Sequence, residues 1–282
     1  MKRLVLAAML SACAGLAGAQ QASQNLFIAH CLRGCPDGAD ESNEIVVRHL
    51  FAASVNSRTR VADWAAYRVL AESVGVASLL PREWQNDQLA TSVVRIEELD
   101  GRSQILVQPA LDDQPESVYR ISEFSIDAGD QGRLVPITSF AGTSYWPDLN
   151  RLSNMSLMRS NLRLESWSRL DQAINSLAQD RGELYVVAGP VYPAASRTGS
   201  RTEGNPDAGR SESGIVPLAF FKVVASDAGE VSAFLFDQRL PEHARYCDQS
   251  SDLATIEELT GLDLFPVAQD WPAASLHGPL GC

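Results

Sequence analysis

Arginine and aspartate hold the positions from which this chain could do chemistry. Asp130-Gln131-Gly132-Arg133 sets a carboxylate and a guanidinium on either side of a glycine. Arg163, Trp167 and Asp171 recur at steps of four, the spacing of one helical ridge, so Arg163 and Asp171 flank the indole. Arginine stays protonated at ordinary pH and cannot serve as a general base. It offers a metal no lone pair and brings a repelling charge. A guanidinium fork does match the oxygens of a phosphate. Two outcomes follow: the arginines capture a phosphate, or Asp130 and Asp171 pair with Arg133 and Arg163 and fill the cleft with salt bridges. The four histidines add little. His49 falls in a predicted strand, His30 and His277 lie beside cysteines near the termini, and His243 falls in a loop. None has a spacing that suggests a catalytic base.

The elements that must carry these residues are mixed. Glu44–Val55 and Arg60–Leu70 read as two strands joined by the turn-prone Asn56-Ser57-Arg58. Thr91–Glu97 and Ser103–Gln108 alternate around Asp100-Gly101, a hairpin signal. Leu111–Asp130 is acidic and assigns to nothing. Asn161–Gln179 predicts a helix, with Trp167, Leu170, Ile174 and Leu177 on its buried face. Glu183–Val187 predicts a short strand ended by Gly189-Pro190, and Ala194–Ser213 a polar Gly/Ser/Arg loop. Ile215–Val224 and Val231–Phe236 predict a strand pair about Asp227-Ala228-Gly229. Leu253–Leu259 predicts a helix capped by Ser250 or Ser251 and stopped by Gly261. Strands and helices do not alternate as βαβ units, which indicates an α+β fold in one domain.

Composition and the N-terminus narrow the setting. The chain has 282 residues, 45% apolar, with a formal charge of −12. Only Lys2 and Lys222 are lysines, against twenty-one arginines. Such acidity argues against nucleic-acid binding through bulk charge and leaves that role to a local arginine cluster. Met1-Lys2-Arg3 and the apolar Leu4–Ala12 read as an export signal. Ala17-Gly18-Ala19 would be cleaved to remove residues 1–19; alternatively Leu10-Ser11-Ala12-Cys13 is a lipobox, residues 1–12 leave, and Cys13 carries lipid. After the leader no apolar run is long enough to span a bilayer. Cys31, Cys35, Cys247 and Cys282 remain, an even number that in an oxidising compartment implies disulfides, with three connectivities open. A zinc site is the alternative, with poor spacing and few histidines.

A resemblance emerges from several motifs in register. Asp130–Pro136 continues into Ser139-Phe140-Ala141-Gly142, then Leu149-Asn150-Arg151-Leu152-Ser153-Asn154. Trp167, Arg169-Leu170, Tyr185–Tyr192, Phe221-Lys222-Val223-Val224, Ala233–Gln238 and Ile256–Leu262 follow. Upstream, Cys31-x3-Cys35-Pro36, Val47-Arg48-His49, Ala62–Tyr67 and Pro81-Arg82-Glu83-Trp84 fit the same pattern. In this order they resemble the DNA/RNA non-specific endonucleases of the ββα-metal (His-Me finger) class, over about Asn25 to Cys282. The resemblance implies a single domain over 25–282, a central antiparallel sheet flanked by helices, and disulfides Cys31–Cys35 and Cys247–Cys282. It also implies Mg²⁺, a histidine base ending a D-R-G-H motif, a metal-ligand asparagine on a helix, and an acid two turns later that holds the metal's water.

This sequence departs from that pattern at the centre. Arg133 stands at the base position, Gln131 at the motif's arginine and Arg163 at the metal ligand. Asp171 keeps a shortened acid in the metal's second shell, Asn175 replaces an arginine, and Arg82 and Asp130 are retained. Mg²⁺ is therefore not expected here, and Arg82, Arg133 and Arg163, with Arg151 and Arg159 as neighbours, form an expected phosphate-binding set. The segment between Arg82 and Asp130 is longer than the family suggests and is a candidate cap over the site. The leading expectation is an exported, catalytically inactive homologue that binds nucleic acid, phosphate or an unknown protein. A residual metal-dependent endonuclease using Asp130 or Asp171 is the second expectation. An envelope interaction domain is the third, touching the membrane only through lipid on Cys13.

Overall fold

Strands that are apolar on both faces need cover on both faces, and the described chain supplies it. The computed structural model describes residues 25–96, 131–192, 217–268 and 274–282. Its main sheet contains β1 (Glu44–Val47), β2 (Phe51–Val55), β3 (Ala62–Leu70), β6 (Glu183–Val191), β7 (Ala219–Ala225), β8 (Glu230–Asp237) and β10 (Ala274–Ser275), in that order across the sheet. β9 (Ser250–Ser251) also pairs with β8. All pairings are antiparallel except β8 with β10. A separate ribbon pairs β4 (Gln131–Arg133) with β5 (Met155–Leu157). The α+β architecture read from the sequence is the one observed.

The two faces of β7 show the layering. Phe220 and Val224 face a core shared with Trp167, Leu170 and Ile174 of α2 (Ser166–Arg181). Phe221 and Val223 face a second core with Trp64 and with Ile256 of α3 (Leu253–Thr260). Trp167 meets the rings of Phe220 and Phe236 edge-on at 5.9 and 5.7 Å. Each such fully buried side chain contributes about 1.5–3 kcal/mol of transfer free energy. Cysteines 31–35 and 247–282 form two disulfides, with Cα separations of 4.8 and 5.3 Å. That pairing consumes all four and removes the zinc alternative.

Several boundaries differ from the sequence expectation. The first predicted strand is two, because Arg48 N–H donates to the Phe51 carbonyl and closes a turn that holds His49. Thr91–Ile96 forms no strand: the Thr91 and Ser92 amides donate to the Glu44 carboxylate, and the Arg60 guanidinium donates to the Ser92 and Val93 carbonyls. These partners replace a ladder, and the rest of that predicted hairpin lies outside the described residues, as do Leu111–Asp130 and Ala194–Ser213. The long helix is interrupted at Glu165 (φ −109°, ψ −103°), leaving a short α1 (Ser160–Leu164) before α2. β6 runs on through Gly189-Pro190 to Val191. Pairing with β3 stops at Ala65↔Ala188 while pairing with β7 continues, so the missing Pro190 N–H leaves no ladder bond unmade. The helix near the C-terminus is capped by Asp252, whose carboxylate accepts from Thr255 N–H at 2.7 Å, while Ser250 and Ser251 pair with β8. Its end matches the expectation, with Gly261 at φ 74°.

Candidate functional site

The β4–β5 ribbon followed by α1 and α2 gives the local ββα frame on which the site residues sit. Gly132 is required there: a Cβ would stand 2.8 Å from Met158 Cβ and 3.5 Å from Arg163 Cδ. That close approach lays Arg163 of α1 against the ribbon. Asn154 fixes the exit from β4, accepting from Val135 N–H at 2.8 Å and donating to the Val135 and Leu149 carbonyls at 3.0 Å.

Arg133 extends from the end of β4 into neutral partners. Its Nε donates to the Leu149 carbonyl at 3.3 Å, and Nη2 donates to the Arg82 carbonyl at 2.8 Å and to Asn150 Oδ1 at 2.7 Å. Asn150 is held in turn by donating Nδ2 to the Pro81 carbonyl at 3.0 Å. The guanidinium lies over the Trp84 ring, 4.2 Å from its centroid, a cation–π contact. Burial, then the charges of Arg82 and Arg163, push the Arg133 pKa down to about 10. It remains a cation at neutral pH. No carboxylate answers that charge among the described residues, and Nη1 makes no hydrogen bond there.

Asp171 does not neutralise the arginines. It sits on the buried face of α2 and forms an ion pair with Lys222 of β7, whose ammonium lies 3.7 Å from the Trp167 ring centroid. Burial pushes Asp171 up and Lys222 down from their ordinary values, and each charge holds the other against that trend. The salt-bridge-filled cleft is thus not formed with Asp171. Asp130 lies outside the described residues, as does Cys13. The interruption at Glu165 places Arg163 on a separate helix from Trp167 and Asp171, so the expected single ridge is broken. Asn175 is structural: Ser139 Oγ donates to its Oδ1 at 2.6 Å, and its Nδ2 donates to Thr138 Oγ1 at 3.2 Å.

Of the expected set, Arg82, Arg133 and Arg163 come together through backbone contact and mutual charge. Arg151 is tied to the neighbouring segment, donating Nη1 to the Asn86 carbonyl at 3.1 Å and bridging Gln85, the residue after Trp84. Arg159 begins α1, where its backbone N–H bonds Gln238. The Gln131 amide is buried, with neither polar atom partnered among the described residues. His30 bonds the Arg48 carbonyl, His243 lies 3.6 Å from Glu165, and His277 packs edge-on against Phe234. Sequence reasoning gave no role to Trp84, Asn150 or Lys222. Lys222 carried a readable signal, a lone lysine inside Phe220–Val224, which demands a buried acid.

The donor set does not suit Mg²⁺. A hard cation takes oxygen ligands, whereas Arg133 and Arg163, at the positions expected for base and ligand, carry guanidinium groups. Asp171 is committed to Lys222, and no cluster of three His, Cys, Asp or Glu occurs among the described residues.

A family model described as DNA/RNA non-specific endonuclease matches residues 35–270. A protein named Nuclease, from Serratia marcescens, is 30% identical over 287 positions that cover 99% of this chain and 94% of that protein. A chain of the crystal structure of the EndoG/EndoGI complex is 15% identical, with a TM-score of 0.59, covering 87% of this chain and 94% of that one. At that identity the likeness speaks for the fold.

Proposed function

The chain belongs to the DNA/RNA non-specific endonuclease family, and from that premise we propose that it binds phosphodiester anions, nucleic acid foremost, without cutting them. One observation carries this reading: Arg133 holds a half-buried positive charge met, among the described residues, by carbonyl and amide oxygens and the Trp84 ring and by no carboxylate, with Arg82 and Arg163 adding charge of the same sign. An anion is the group that would complete such a site, and guanidinium groups bind phosphate oxygens in forks. Cutting needs a base to activate water and a metal to stabilise the leaving oxygen. Arg133 and Arg163 supply neither. General acid–base catalysis alone is worth about 10²–10⁴ in rate.

Export belongs to the same proposal. The basic, then apolar, N-terminus supports it, as do two disulfides suited to an oxidising compartment. No helix among the described residues is long and apolar enough to cross a membrane. A lipid on Cys13 would be the membrane contact if the lipobox is used.

The test is a plasmid- and RNA-nicking assay with Mg²⁺ or Mn²⁺, run beside an Arg133→His, Arg163→Asn double variant. Wild type is expected to retain short oligonucleotides at low salt and leave every strand intact, with binding lost in Arg133→Met. Cutting by wild type would overturn the proposal, and cutting that survives Arg133→Ala would also remove Arg133 from the site.

A further inference from the structure

Beside the arginines stands an aromatic pair that neither the core nor the ribbon needs. The rings of His49 and Tyr145 stack at 4.3 Å between centroids and 14° between planes. Both remain open to solvent: Tyr145 is 51% exposed and the His49 side chain 63%. Hydrophobic burial therefore does not account for holding them there. Their geometry is nevertheless fixed. His49 Nδ1 lies 2.8 Å from Asp148 Oδ2, Asp148 lies 3.6 Å from the Arg48 guanidinium, and Arg48 is ion-paired with the buried Asp87. The Asp148 carboxylate is thus held by the His49 ring and by Arg48, which it shares with Asp87.

One short 3₁₀ helix, Trp146–Asn150, connects this pair to the guanidinium cluster. Tyr145 is its N-cap, Asp148 lies inside it, and its last two residues, Leu149 and Asn150, accept from Arg133. At about 2.0 Å rise per residue, the helix backbone spans about 10 Å from Tyr145 to Asn150, the residue that accepts from Arg133. A solvent-exposed aromatic face beside a cationic site is the pairing by which single strands are held: bases stack on the ring while phosphates lie on arginine. In a duplex the base faces are already stacked on one another and are closed to a ring.

We infer that the Tyr145–His49 stack is a base-binding subsite for single-stranded nucleic acid, placed one short helix from the phosphate site at Arg133 and Arg82. The inference rests on the anion-binding reading above and adds a ligand class to it: a strand whose unpaired base covers Tyr145 while a neighbouring phosphate reaches the guanidinium groups. Because each base offers a π-face, such a subsite favours single strands over duplex and discriminates weakly among sequences.

The experiment compares, by fluorescence anisotropy in EDTA at low salt, a short labelled oligothymidylate, an abasic chain of equal length and charge, and a duplex of the same length. Wild type should hold the oligothymidylate about tenfold more tightly than the abasic chain or the duplex. Tyr145→Ala should weaken oligothymidylate binding about five- to a hundredfold and leave the abasic chain unchanged. Tyr145→Phe, which preserves the stack, should bind as wild type does. Arg133→Met should weaken all three ligands. Equal affinity for oligothymidylate and abasic chain, a tighter duplex, or indifference to Tyr145→Ala would overturn the subsite and leave anion binding standing. If none of the three ligands binds at low salt, the anion-binding reading fails, and the subsite with it.

Discussion

Lys222 and Asp171 leave water together, and neither charge has another ionic partner among the described residues. Lys222 is wholly buried on the α2 side of β7, and its ammonium also faces the Trp167 ring. Removing one member leaves the other charged in a core lined by Phe220 and Phe236, or forces it to neutralise. Asp171→Asn and Lys222→Met should each cost about 3–5 kcal/mol in urea unfolding. The joint change Asp171→Leu with Lys222→Met should recover most of that loss, because buried ion pairs often stand near neutrality against apolar replacements of similar volume. A double variant as unstable as the two singles combined would show no coupling between the two charges and overturn their reading as one unit. The pair also explains why Asp171 gives no carboxylate to the proposed anion site. Asp171 serves the α2–sheet contact, and Arg133 is left without a carboxylate from that helix.

β6 shows what periodicity reads and what it misses. Its apolar run was legible, but Gly189-Pro190 looked like a stop because both residues break isolated strands. What overrides them is tertiary. A Cβ on Gly189 would stand 2.3 Å from the Asp63 carbonyl and 2.8 Å from the Phe221 ring, so glycine lets β3 and β7 close in on that position. Gly189→Ala should therefore destabilise by about 1–3 kcal/mol, the usual range for overpacking, read as a lower urea midpoint at unchanged slope. An unchanged midpoint would show that the neighbouring backbone yields easily. The same division holds elsewhere. The α2 face was visible because Trp167, Leu170, Ile174 and Leu177 carry the helical period. The interruption at Glu165 was not, since nothing in the local spacing of Asn161–Gln179 marks it. At the site, motif register alone assigns Arg133 and Arg163 to the expected base and ligand positions, and the structure adds that the two share one charge environment. Trp84 under the guanidinium and the His49–Tyr145 pair were not legible, because their partners lie some fifty and a hundred residues away in sequence.

The charge of the whole molecule and the charge of its site have opposite signs, and salt separates their effects. At −12 the protein repels a polyanion at long range, while the proposed site at Arg82, Arg133 and Arg163 would attract it locally. Counterion release from a single strand scales as about 0.7 per phosphate neutralised. Two or three arginine contacts therefore predict a slope of about −2 for log affinity against log salt. Salt also screens the repulsion from the acidic surface, which flattens the slope further at low ionic strength. Titration of a short oligonucleotide from low to physiological salt measures it directly. A shallow slope that vanishes in Arg133→Met fits a strand gripped at one point by a small cationic pocket. A slope near −6 would require phosphate contacts spread over a wide basic surface, and an arginine-biased chain with so large an acidic excess has little room for one. The net charge thus sets the reach of the interaction rather than forbidding it: the protein should hold short or flexible strands at the pocket and disfavour long duplex lying along its surface.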